Sequence, residues 1–519
     1  MADSANTLLE QTDADLRPAP DAHRTALFVL IAATIYLYLN LFVLPNIPIL
    51  LGGDQVFFWL DGQRLLNGQR IYQDFLQFTP PGTDLVYFAL FKLFGFRIWV
   101  TNALVLALGV AFTWMCFSLA RDLMGRGSAL LTTAVFLVIV YGKPLNATHH
   151  WFSVLAVMGA VKATFNRLTL RKLVFSGALI GLAAFFNQTH GATALLAFSV
   201  FLLWRRQRRS TSWSDLFYCE AVLVLGFLLT LLVLNAHLIA TMGLKQLWFF
   251  QVTYVTKYVV NLMQGSLLGL PRPLQFRTLP SLAAILAVYL ALPVIYLMAL
   301  WRCWRERRNS CFPWDRIALL SILGLFFLIE VCMSLNWLRL FAVALPGILL
   351  IGFAFDRMSS LRRAAFIGGW IIVAGLAAHH IVSTTRTSSL RVVLPGGRVA
   401  INPQAYDKLH EIMRRTAPGD LFFQAGWPGV YLPLQLRNPL YLDIAYAIRP
   451  EEAERVIQEL QTTNVPLILW TAHLDAPCVS NRPCDKGTSI LRDYLHRSYV
   501  RVHTFPDGDT LWQSNKPNP

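Results

Sequence analysis

Long apolar runs separated by short arginine-rich connections set the first limit on what this chain can fold into. The run from about Thr25 to Pro45 is long enough to cross a bilayer, which takes roughly 20 residues. Similar runs lie near 98–120, 127–141, 151–166, 173–188, 191–204, 214–238, 279–301, 316–335, 338–356 and 364–383. Those at 127–141, 151–166 and 191–204 are short for a full crossing. Only 14% of the 519 residues are charged and mean hydropathy is +0.49, against roughly 25% charged in soluble proteins. The expected fold class is an α-helical polytopic membrane protein with about 11 spans.

The formal net charge of +16 does not point to nucleic acid. The cations cluster in alternate short connections: Arg121 and Arg126; Arg167, Arg171 and Lys172; Arg205, Arg206, Arg208 and Arg209; Arg302, Arg305, Arg307, Arg308 and Arg316; Arg357, Arg362 and Arg363. Short basic loops face the cytoplasm. Residues 1–24 are then a cytoplasmic tail, with Asp3, Glu10, Asp13, Asp15 and Asp21 in place of a basic signal-peptide start. The first loop (47–97), the 239–278 loop and the tail after 384 fall outside. The long connections are the outer ones, so chemistry is expected there.

Residues 384–519 change character. Helical and strand patterns alternate: "AYDKLHEIMRRTAPGD" then "DLFFQAG", "RPEEAERVIQELQTTN" then "VPLILWT", "SILRDYLHRS" then "YVRVHTF". This predicts a small extracytoplasmic α/β domain attached to a transmembrane domain of residues 25–383. Cys478 and Cys484 lie in this tail and are expected to be disulfide-linked in an oxidising compartment, with Cys303 and Cys311 inside. "LKQLWFFQVTYVTKYVVNLMQG", in the 239–278 loop, reads as a helix on the outer surface.

The first outer loop carries the densest signal. After "GGDQVFFWLDGQRLLNG" the chain continues "QRIYQDFLQFTPPGTDLVYFALFKLFG". Val56, Phe57, Leu60, Leu65 and Leu66 suit one helix face, and Asn67-Gly68 is a plausible stop. Such a helix is expected to lie in the membrane interface with its aromatic residues among the headgroups. Asp54 then sits at the depth of a lipid phosphate, either as a catalytic acid or as a helix cap. Asp61 and Arg64, three residues apart, read as a surface ion pair.

These residues resemble the first external loop of the GT-C glycosyltransferases, in particular the bacterial members related to protein mannosyltransferases and lipid A aminoarabinose transferases. The shared pattern is Asp54, Asn67-Gly68, Tyr72-Gln73-Asp74-Phe75, Pro80-Pro81-Gly82 and Phe94-Gly95. "GALIGLAAFFNQTHG" (177–191) and "NWLRLFAVALPGILLI" (336–351) are similar to two further family segments. The resemblance covers most of residues 25–380. It implies a GT-C-like membrane fold, a polyprenyl-phosphate sugar donor, an outer-face glycan, lipid or protein acceptor, and a first-loop acid that deprotonates or orients the acceptor. That role falls on Asp54. Two departures stand out: Gln55 where the family often has a second acid, and "GKPLNATHHWF" (142–152), which has no acid where many members do.

His149 and His150 in that loop are candidates for a base or a headgroup contact. Shared metal binding by adjacent histidines is disfavoured by their different helix faces, and no cofactor is expected. Phosphate needs cations: Arg339, at the outer start of a span, offers a guanidinium fork, and Lys143 is a second candidate. Glu330, an acid inside a span, is a functional candidate by default or a partner for Arg339. Asp74 is a further substrate-binding candidate. The reading is a glycosyltransferase of the cell membrane. The rival is a transporter or flippase of lipid-linked glycans, which would be expected to show matched broken helices; no internal repeat is evident.

Overall fold

The computed structural model describes residues 22–166, 168–259, 290–306, 313–332, 337–358, 362–445, 448–475 and 486–515. Cys311, Cys478 and Cys484 lie outside the described residues, and with them the expected disulfide. The chain divides into two compact units. The first comprises residues up to 38, 106–145 and 149–381, the second residues 39–105, 146–148 and 382–519.

Unit 1 is helical. Helices cover most of the expected spans: α1 (Ala22–Leu41), α4 (Ile98–Arg121), α5 (Arg126–Val135, continued by a π-turn to Tyr141), α6 (His149–Phe165), α7 (Leu170–Phe186), α8 (Gln188–Arg209), α9 (Trp213–Met242), α11 (Leu292–Arg305), α12 (Trp314–Cys332), the pair α13 (Trp337–Ala342) and α14 (Leu345–Asp356), and α15 (Arg362–Thr387). α10 (Leu244–Trp248) runs into a π-helix to Val259, within the segment read as an outer surface helix. Among the described residues, four helices are long and apolar enough to cross a membrane: His23–Leu41, Ile98–Arg121, Trp213–Met242 and Ala364–Thr387. α8 outruns the expected 191–204. Asn187 caps its start, and Arg206, Arg208 and Arg209 in its last turn suit the negative end of the helix dipole.

Within unit 1, small residues let helices meet backbone to backbone. A Cβ on Gly177 of α7 would stand 2.1 Å from the Leu223 carbonyl of α9. At one end of the bundle Asp315 takes Arg205, Arg208 and Arg209. Lys162 pairs with Asp122 at 2.6 Å, and the Asp356 carboxylate accepts from Ser128 Oγ and the Gly125 amide at the start of α5. Three of the basic connection residues, Arg205, Arg208 and Arg209, are thus held by one acid.

Unit 2 holds the short antiparallel pair β1 (Phe42–Val43) and β2 (Ile47–Pro48), the first loop with α2 (Gln55–Leu66) and α3 (Gly82–Phe94), and the tail. The tail begins with a hairpin, β3 (Leu390–Leu394) and β4 (Gly397–Ile401), followed by α16 (Pro403–Met413) and the short α17 (Tyr431–Leu434). Its sheet is formed by β5 (Phe422–Gln424), β6 (Leu467–Trp470), β7 (Tyr499–Thr504) and β8 (Thr510–Ser514) in the order β5-β6-β8-β7, with only the first pair parallel. α18 (Pro450–Thr463) and α19 (Lys486–Ser498) pack on it through Val456, Leu460, Leu491 and Leu495 against Ile468, Trp470 and Trp512. The hairpin and β8 are elements that the alternation of helix and strand patterns does not predict.

Candidate functional site

In unit 2, Asp54 stands at the N-cap position of α2 but makes no side-chain capping bond. Its neighbour Gln55 is buried. The Gln55 amide nitrogen donates to the Gly52 carbonyl at 2.9 Å, and its oxygen accepts the Ala147 amide at 3.2 Å. The residue that replaces a family acid therefore works as a clip, joining the loop before α2 to residues 146–148. Tyr87 of α3 adds a second clip, its hydroxyl donating to the Ala147 carbonyl. At the other end of the loop, Asn102 Nδ2 donates to the carbonyls of Leu41 and Ile49 at 2.8 and 2.9 Å. The position of Asp54 is thus held by buried polar bonds, which position a side chain more rigidly than a free loop does.

The aromatic residues of α2 are not left among headgroups as expected but pack on protein. Val56, Phe58, Trp59 and Leu60 are all buried within unit 2. Phe58 stacks on Tyr87, and Phe57 meets Trp427 of the tail edge-on at 5.4 Å. The aromatic residues dock the loop onto protein rather than lipid, because the tail supplies an apolar partner that the local sequence does not reveal.

The expected surface pair of Asp61 with Arg64 is also corrected. Both are buried, 0% and 1% exposed. Arg64 pairs with Asp443 of the tail at 2.5 Å and donates to the Leu440 carbonyl. Asp61 lies close to both Asp84 and Asp443, and Gln77 Nε2 donates to Asp61 at 2.7 Å and Asp84 at 3.3 Å. Three buried carboxyls thus share one buried guanidinium. Burial first, and then the neighbouring carboxyls, push Asp61 well above the usual carboxylate range. Burial likewise raises Asp84 well above that range. It raises Asp443 too, against the pull of Arg64. Two protonated acids and one ion pair leave the cluster neutral, as a buried set must be.

Asp74 accepts from the Arg70 amide at 2.7 Å and pairs with the Arg70 guanidinium at 3.2 Å on the surface. That hydrogen bonding holds its carboxyl below the usual range. The "Y-x-D-F" block is a turn that Asp74 closes.

Unit 1 gathers most of the remaining candidates. His149 and His150 open α6 with rings 4.0 Å apart, and the His150 ring is 5.2 Å from that of His190 in α8. Glu330 of α12 stands 3.5 Å from His190 Nε2 and takes Thr189 Oγ1 at 2.5 Å. Arg339 of α13 lies within electrostatic reach of all three histidines and of Glu330. Arg339, His149, His150 and Glu330, drawn from three distant segments, therefore share one cluster. Lys143 does not join it in this way: its electrostatic neighbour is His380 of α15, whose Nδ1 meets the Tyr36 hydroxyl at 3.0 Å. Among the described residues no group of three His, Cys, Asp or Glu side chains is spaced to hold a metal ion.

The hydrogen bonds of the cluster fix its tautomers. Asn187 Oδ1 accepts the Thr189 and His190 amides at the start of α8, so its Nδ2 is the donor to His150 Nδ1 at 3.2 Å. His150 then carries its proton on Nε2. Ser153 Oγ donates to the His150 carbonyl at 2.9 Å, so it accepts from His190 Nδ1 at 2.7 Å. His190 and Ser153 are not conspicuous in the sequence. The available signal was a lone histidine inside an apolar segment, "NQTHG", since polar groups in membrane helices are rare and tend to be functional.

No family model matches the chain, and no curated protein matches it in sequence. Solved structures do match. ArnT from Cupriavidus metallidurans aligns at 14% identity with a TM-score of 0.58, over 95% of this chain and 98% of that one. The same protein bound to undecaprenyl phosphate aligns at 0.54. The archaeal oligosaccharyltransferase AglB from Archaeoglobus fulgidus, in complex with an inhibitory peptide and a dolichol-phosphate, aligns at 12% identity with a TM-score of 0.51, over 96% of this chain and 75% of that one. The fold is similar to that of ArnT and AglB. A helical membrane region and a small C-terminal sheet domain belong to that likeness.

Proposed function

We propose that the protein is a membrane glycosyltransferase that moves a sugar from a polyprenyl-phosphate donor to an acceptor hydroxyl at the outer face. The observation that carries the reading is the cluster of Arg339 with His149, His150, His190 and Glu330 among the helices of unit 1. A guanidinium fork suits a phosphate, and neutral imidazoles bind it without adding charge. The solved relatives in complex with undecaprenyl phosphate and dolichol-phosphate support the donor class. In unit 2, Asp54 is the proposed base: it opens α2 beside Gln55, whose bonds to Gly52 and Ala147 fix that turn, and proton removal of this kind contributes roughly 10²–10⁴ in rate. Lys143 is a secondary cation for the donor, and no cofactor takes part.

The proposed topology has about eleven spans, the N-terminus inside and the tail outside. Arg305→Cys and Glu454→Cys, both at exposed positions, test it with an impermeant thiol reagent on intact cells. Glu454→Cys should label directly and Arg305→Cys only after permeabilisation; the reverse pattern rejects the orientation. The activity is tested by mass spectrometry of envelope lipids and glycans with and without the protein. Loss of one sugar from one acceptor is the expected result. An unchanged glycan that merely accumulates on the inner leaflet would instead favour a flippase.

A further inference from the structure

The His190–Glu330 contact contains a charge problem whose solution suggests a role. His190 donates through Nδ1 to Ser153, so in the neutral ring Nε2 carries a lone pair. That lone pair faces Glu330 Oε1 at 3.5 Å, with the His190 side chain 1% exposed and that of Glu330 17%. A lone pair and a carboxylate oxygen repel in such a site, and one added proton turns the contact into an attraction. The other charged and titratable groups facing the pair are Arg339, His149 and His150. His150 is held as a neutral tautomer by Asn187, which leaves Arg339 as the positive charge of the cluster.

We propose that His190 and Glu330 hold one shared proton that neutralises the second negative charge of the departing polyprenyl phosphate. This rests on the donor class proposed above. A polyprenyl-phosphate sugar is a phosphodiester with a single negative charge, which Arg339 balances. In the transfer, the acceptor gives its O–H proton to the general base and the acceptor oxygen bonds to the anomeric carbon. The bond from that carbon to the phosphate oxygen breaks, and its electron pair stays on the phosphate. The product is a phosphomonoester with room for a second charge, which one guanidinium does not balance. The shared proton moves to that oxygen and leaves a neutral imidazole beside a carboxylate. The pair regains a proton from solvent after product release, and the base returns its own to solvent. His190 and Glu330 thus act on the leaving group together, as joint holders of that proton.

Two lipid probes test this in purified full-length protein: undecaprenyl phosphate, a monoester, and its methyl ester, a diester that cannot take the second charge. In the wild type, affinity for the monoester should stay nearly flat from pH 6.5 to 8.5, because the site brings its own proton to the dianion. In His190→Gln and in Glu330→Gln it should fall by about tenfold per pH unit above the second phosphate ionisation, the slope of one missing proton. Diester affinity should stay flat with pH in all three. Monoester profiles in both variants that match the wild type overturn the proposal. So does loss of the diester in both, which would make the pair part of the scaffold. Arg339→Ala should lose both lipids. A wild type that binds neither lipid at any pH rejects the polyprenyl-phosphate reading itself.

Discussion

Asp54 and Arg339 carry the chemistry proposed here, and each answers to a substitution that separates its role from a structural one. Asp54→Asn keeps size and capping capacity but removes the base. Asn and Asp are comparable caps, and the Asp54 side chain makes no capping bond, so the fold should be unaffected. Turnover should fall by roughly 10²-fold or more with donor affinity retained, measured as sugar transfer under single-turnover conditions. Near-normal turnover would move the base to the histidines. Arg339→Lys keeps the charge but loses the planar fork. Hydrogen bonds to charged groups contribute about 1.5–3 kcal/mol, so affinity for undecaprenyl phosphate should fall by about 10- to 100-fold; titration of the purified variant reads this directly, and unchanged affinity makes Arg339 an anchor. At this scale the sequence was legible where a residue announces itself by depth or rarity, as Glu330 and the histidine pair do. It was misleading where a nearby partner was available on paper: Arg64 lies one helical turn from Asp61, yet its ion pair is with Asp443, and no local spacing reveals a partner so far along the chain.

Helices were the most legible elements, because a run of apolar residues bounded by arginines leaves few alternatives. Their packing was less so. "GALIGLAAFFNQTHG" was noticed as a pattern, while its physical use is to bring two backbones together. Gly177 lies against the Leu223 carbonyl, and a Cβ on Gly181 would stand 2.6 Å from the Phe227 carbonyl. Gly177→Ala therefore has to push α7 and α9 apart. Overpacking of this kind costs about 1–3 kcal/mol, so thermal unfolding in detergent should shift down by a few degrees. Gly375→Ala is the control: a Cβ there meets nothing within 4 Å, and helix propensity favours alanine. Equal shifts in the two variants would mean that α7 and α9 do not pack as described. The docking of the first-loop helix α2 is not legible in the sequence for a different reason. Its amphipathic face fits a membrane interface or a protein partner equally well, and only the folded tail decides between them.

At the scale of the whole molecule, the first loop and the tail form one unit although they lie far apart in the sequence, and the buried acids join them. Arg64 and Asp61 of α2, Asp84 of α3 and Asp443 of the tail form a neutral set only while two protons are present. That condition makes the unit sensitive to pH, and the sign follows from the direction of the shifts. Asp61 and Asp84 are raised well above the ordinary carboxyl range in the folded state, so the folded unit binds more protons than the unfolded chain once pH exceeds about 4. Stability is therefore full below the unfolded carboxyl range. It is lost as pH rises toward the folded values, at up to about 1.4 kcal/mol per pH unit for each proton held. The usual acid destabilisation by paired carboxylates is reversed here. Hydrogen exchange of the full-length protein should show protection of residues 55–66 and 440–443 decreasing as pH is raised from 5 to 9, after correction for the intrinsic exchange rate. Asp84→Asn removes one of the two protons while keeping a neutral group of similar size beside Gln77, so it should weaken the pH dependence and raise protection at the alkaline end. A variant that retains the full slope would show that Asp84 holds neither of the protons on which the slope depends.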